Sequence, residues 1–201
     1  RTENRNAENP TWNKVYPSAK AEFEYIRNMA FHPDDHNILF ATGTDIISSE
    51  QQGKSGSWQR IATPGSGLDF TNTPWATQFN GEEYVQACNM AIAPQGDYLY
   101  INCHTRDTPP PYNWQSVSHF YFYKYDVQEE TWTALTAEGL AGGKIGPGIT
   151  GGRTEMAVSP VNAEMLYCAG VRPYVLDSGD PVSTWNSLRM NAHIDYHELA
   201  F

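Results

Sequence analysis

One short run recurs three times along the chain: Asn28-Met29-Ala30-Phe31-His32-Pro33, Asn89-Met90-Ala91-Ile92-Ala93-Pro94 and Glu155-Met156-Ala157-Val158-Ser159-Pro160. An internal repeat constrains a fold more than local propensity does, because each copy must form the same unit and pack on its neighbours. After each proline comes a polar turn, at Asp34 to Asn37, Gln95 to Asp97 and Val161 to Glu164. A second apolar strand follows: Ile38-Leu39-Phe40-Ala41, Tyr98-Leu99-Tyr100-Ile101 and Met165-Leu166-Tyr167-Cys168-Ala169. A third strand then leads to a tryptophan. Trp58, Trp132 and Trp185 follow their prolines by 25, 38 and 25 residues. The excess in the middle unit is the stiff loop around Asp107-Thr108-Pro109-Pro110-Pro111-Tyr112.

These units read as four-stranded blades. A single blade cannot bury both of its faces, so blades stack around an axis and cover one another. The expected fold is all-β: a partial β-propeller of about three four-stranded antiparallel blades, forming a single domain over residues 1–201. The units span roughly 26–80, 85–140 and 150–190. Thr11-Trp12, within 1–25, reads as the end of a preceding blade, and Leu199-Ala200-Phe201, within 193–201, as the start of a further one. The remaining blades of the same propeller, or a second copy of the chain, would then cover the open edges. Met29, Met90 and Met156 are expected in the core, on the small, apolar innermost strands. A competing helix over Ser18 to Asn28 places Ala19, Phe23 and Ile26 at helical spacing after a capping serine.

Composition agrees with strands and tight turns: 13% aromatic, 18% charged, 16 glycines and 13 prolines. The formal charge is −10 and the basic residues form no cluster, which argues against nucleic acid as a partner. No apolar run reaches the roughly 18 residues that span a bilayer, so membrane insertion is not expected. A targeting signal, if the protein is exported, lies outside these residues. Cys88, Cys103 and Cys168 lack metal-type spacing and sit in or beside apolar strands. They read as buried free thiols, with a Cys88–Cys103 bridge between neighbouring strands as the alternative.

Ser178-Gly179-Asp180-Pro181-Val182-Ser183-Thr184-Trp185 resembles the Asp-box hairpin, Ser-x-Asp-x-Gly-x-Thr-Trp, of the bacterial neuraminidase repeat family. That family includes sialidases, xyloglucanase-like glycosidases and sortilin-type receptors. Ser178, Asp180, Thr184 and Trp185 match it, and Val182 stands where the family has glycine. Ser48-Ser49-Glu50 with Gly53 and Ser57-Trp58 is similar to a stretched second copy, and Tyr125-Asp126 with Thr131-Trp132 resembles a kelch-type ending. The resemblance implies a propeller in an extracellular or cell-surface protein. The box residues are expected to be structural, the aspartate accepting turn N–H groups and the tryptophan anchoring the turn.

In a propeller the residues just before each innermost strand ring one mouth of the channel, a usual place for ligands. That rim comprises Arg27, Asn28, Asn89, Arg153, Glu155, His193, Asp195 and His197. His193, Asp195 and His197 alternate, so an extended strand would present all three to one face. They suit a hydrogen-bonded network, with a divalent metal as the alternative; no cofactor is otherwise expected. Tyr112, Trp114, Tyr121 and Tyr123, near the proline loop, can stack on sugar rings or pack a blade. The leading expectation is a non-catalytic module of a large secreted or cell-surface bacterial protein, binding glycan or protein. The alternative is a sialidase- or xyloglucanase-like glycoside hydrolase with Glu155 and Asp195 as its carboxylate pair.

Overall fold

The computed structural model describes residues 26–71, 75–76, 83–107, 118–136, 155–169 and 173–188. Among them every regular element is a β-strand, arranged in three antiparallel sheets. The first sheet holds β1 (Ile26–Phe31), β2 (Leu39–Gly43), β3 (Ile46–Ser49) and β4 (Trp58–Arg60), in that order. The second holds β5 (Trp75–Ala76), β6 (Glu83–Ile92), β7 (Tyr98–Arg106), β8 (Ser118–Asp126) and β9 (Thr131–Leu135). The third holds β10 (Glu155–Ser159), β11 (Asn162–Ala169), β12 (Pro173–Asp177) and β13 (Asn186–Ser187). Each recurring Met-Ala run is the first long strand of its sheet and pairs with the apolar strand that follows it.

Three details depart from the sequence reading. The second sheet has five strands, because Trp75 and Ala76 pair with Tyr84 and Glu83 on β6 instead of staying with the first unit. At ten residues β6 is longer than β1 or β10, and its early residues Glu83 and Tyr84 take β5 as a further strand. The turn in the third unit is Pro160-Val161, since Ser159 already pairs with Asn162 across a bulge. Ile26, Arg27 and Asn28, the end of the competing helix, belong to β1; the rest of that helix lies outside the described residues.

Side-chain alternation across the second sheet builds two cores. Cys88, Met90, Ile101 and Cys103 join Phe40 and Ile46 of the first sheet, whereas Tyr100, Phe120 and Phe122 join Met156, Leu166 and Leu176 of the third. The second sheet is thus covered on both faces. Met90 and Met156 are 9% and 8% exposed, as expected of core residues. Met29 is not: it is 60% exposed, beside Phe31 at 53%. It pairs with Ala41 on the face turned away from the second sheet, while neighbouring Ala30 and Phe40 pack into the shared core. Among the described residues, its repeat position is buried where another sheet covers that face.

The unit-ending tryptophans tie the sheets together. Trp132 packs on Tyr125 and donates its indole N–H to the Ile61 carbonyl of the first unit (2.9 Å). Trp185, nearly fully buried, packs on Phe122 and donates to the Thr136 carbonyl of the second (2.9 Å). Trp58 has a buried Nε1 with no partner.

Candidate functional site

The hairpins that precede these tryptophans are held by side chains that bond their turns. Asp180 Oδ1 accepts from the Val182 N–H (3.0 Å), Asp177 Oδ1 accepts from the Gly179 N–H (3.1 Å), and the Thr184 carbonyl accepts from Asn186 Nδ2 (2.9 Å). Ser178 Oγ meets the Tyr100 hydroxyl of the second sheet (2.8 Å), which also reaches the Ala163 carbonyl (2.9 Å). Burial pushes the Tyr100 phenol up to about 12, so it stays protonated. In the first unit Ser49 Oγ accepts from the N–H groups of Gln51 and Gly53, and in the second Asp126 Oδ1 accepts from those of Gln128 and Glu129. These side chains satisfy turn amides that would otherwise lack partners, which is structural work.

The sequence-derived rim residues within the described chain occupy equivalent rungs. Asn28 pairs with Thr42, Asn89 with Asn102, and Glu155 with Ala169, while Arg27 sits at a register shift in β1. Strand β6 packs beside both β1 and β10, so these rungs lie on neighbouring strands. Arg153, His193, Asp195 and His197 lie outside the described residues, and with them the alternating histidines and the second carboxylate of a glycosidase pair. Among the described residues no group of three or more His, Cys, Asp or Glu could hold a metal ion. Tyr123 is buried in the core with Tyr121 packed against it, and Tyr112 and Trp114 lie outside the described residues.

The same end of the strands carries polar residues that the rim argument missed. Asn102, His104 and Arg106 alternate along one face of β7, and Asn102 and His104 are both 0% exposed. Neither end of the Asn102 amide and neither ring nitrogen of His104 has a hydrogen-bond partner, nor does Asn28 Oδ1 or Thr42 Oγ1. Six of the seven buried side-chain polar atoms without a partner among the described residues belong to these four side chains. Asn28 and Thr42 face the core between the first and second sheets, and Asn102 and His104 the core between the second and third; leaving such an atom unsatisfied costs about 1–3 kcal/mol, so both pairs call for an explanation.

His104 stacks flat on Phe120, with ring centroids 4.8 Å apart and planes 6° apart. Burial, reinforced by the nearby charges of Arg106, Arg27 and His119, lowers its pKa from 6.5 to about 3. At neutral pH it is therefore uncharged, with one ring nitrogen able to donate and the other to accept. The Asn102 amide also offers both kinds of group, Thr42 adds a hydroxyl and Asn28 a carbonyl. None of them is a charged acid or base. The alternation in Ile101-Asn102-Cys103-His104-Thr105-Arg106 is the sequence signal that could have revealed them. No protein-family model matches the chain, and no curated protein matches it.

Proposed function

We propose that the chain is a partial β-propeller acting as a non-catalytic module of a large secreted or cell-surface bacterial protein, and that it binds a glycan at the polar ends of its inner strands. Three stacked antiparallel sheets, with β6 beside both β1 and β10, support the propeller reading. The extracellular placement rests on the resemblance of the 178–185 hairpin and the repeated strands. The observation that carries the binding role is the unpartnered buried atoms at this end of the strands, on Asn28 and Thr42 at the face between the first and second sheets and on Asn102 and His104 at the face between the second and third. Mixed, uncharged donors and acceptors match the hydroxyl groups of a sugar.

A panel of immobilised neutral and acidic oligosaccharides, followed by calorimetry on any hit, tests this reading. Binding by the wild type and a loss of about tenfold or more in Asn102→Leu and His104→Phe is expected, a change of about 1.4 kcal/mol. If the wild type binds no glycan, the reading fails and a protein ligand takes its place. Glycan turnover that disappears in Glu155→Ala and Asp195→Ala would instead establish the hydrolase.

A further inference from the structure

Cys88 and Cys103 stand directly opposite each other on β6 and β7, with sulfurs 3.2 Å apart and neither side chain exposed. Facing residues of an antiparallel pair have Cα atoms about 4.5–5.5 Å apart, inside the range of about 4.4–6.8 Å that a disulfide bridges. Joining these sulfurs at about 2.05 Å takes a side-chain adjustment and leaves the strands in place. Cys168 belongs to the other core, across the second sheet from this pair, and has no thiol within reach of it. The structure holds all three cysteines as thiols.

From this we infer that Cys88 and Cys103 are the two halves of a cross-strand disulfide site, closed when the chain folds in an oxidising compartment and leaving Cys168 as the single free thiol. The oxidant is a small or protein disulfide, such as glutathione disulfide. One cysteine thiolate attacks it, forming a mixed disulfide and expelling one donor thiolate. The second cysteine thiolate then attacks the protein sulfur of that mixed disulfide and expels the other. The protein loses two thiol hydrogens as protons and two electrons pass to the donor, which leaves as two thiols. Burial raises the Cys88 thiol well above its ordinary value, so exchange belongs to the stage before the first sheet covers β6 and β7.

The test uses the complete chain, reduced, unfolded and refolded with glutathione disulfide, then alkylated in denaturant without reduction. One alkylated cysteine per chain, Cys168, is expected. Cyanogen bromide cleavage after Met90 separates the two partner cysteines, so their fragments should stay joined until a reductant is added. Reduction should lower the melting temperature by about 5–10 °C. Three alkylated cysteines in refolded protein, a glutathione adduct on either partner, or a bridge that includes Cys168 would each overturn the assignment. Refolding is monitored by the near-ultraviolet signal of the buried tryptophans. If only the reduced chain regains that signal, the native pair does not tolerate the bond and the inference is likewise overturned.

Discussion

The indole N–H of Trp185 donates to the carbonyl oxygen of Thr136, so the closing hairpin of the third sheet is tied to the backbone leaving the second. Trp132 makes the same kind of bond one unit earlier, to Ile61.

Phenylalanine at either position keeps a ring but removes the N–H that the part-buried carbonyl accepts. Trp132→Phe and Trp185→Phe should each cost about 2–3 kcal/mol in urea unfolding. Trp58→Phe removes a buried N–H that has no partner and should cost at least about 1 kcal/mol less. Equal losses at all three positions would refute the claim that the bond between units matters.

His104 makes stability depend on pH in a defined direction. Its value in the fold is about 3, against 6.5 for the free side chain. As pH falls from 6.5, the unfolded chain takes up a proton that the folded chain refuses until about pH 3. The contribution is fully present above 6.5 and is lost on acidification at up to about 1.4 kcal/mol per pH unit. Urea midpoints between these limits should fall less steeply for His104→Phe than for the wild type, and parallel curves would contradict the burial argument.

The two repeat-equivalent methionines Met29 and Met90 should respond differently to truncation. Met90→Ala opens a cavity in the first core and is expected to cost about 2–5 kcal/mol. Met29→Ala, at an exposed position, should fall within about 0.5 kcal/mol of the wild type. Thermal unfolding of the two single variants gives the comparison directly.

Two glycines in one turn separate backbone conformation from space. Gly65 and Gly67 both have positive φ, +88° and +94°, but a Cβ on Gly65 meets open space and one on Gly67 meets the Trp132 carbonyl. Gly65→Ala should cost about 1 kcal/mol from conformation alone. Gly67→Ala adds a clash with fixed backbone and should cost about 3 kcal/mol or more. Equilibrium unfolding that ranks them the other way would show that the turn relaxes.

The repeated hairpins were legible because β-strand alternation and turn residues are local signals. Met-Ala runs bounded by prolines needed no distant partner to be recognised, and the tryptophans could be counted from those prolines. Burial depended on what stood opposite. Met29 has the sequence surroundings of Met90, yet only Met90 has a described sheet over it. The extra pairing of Trp75-Ala76 depended on the length of β6, and the Pro160-Val161 turn on which residue Ser159 happened to meet. Asn28, Asn89 and Glu155 stood out because each opens the repeated run. Asn102 and His104 lie within a different strand, β7, and their lack of partners arises only once the register of β6, β7 and β8 is set.

Cover on both faces of the second sheet also sets an order of disassembly. Residues along β7 are buried almost without a break, and they lose that shelter only when a neighbouring sheet departs. The first and third sheets can each fray at their outward faces without exposing both sides of the middle one. Among the described residues, amide protons of β7 and β8 therefore exchange with solvent through rarer openings than those of the first and third sheets.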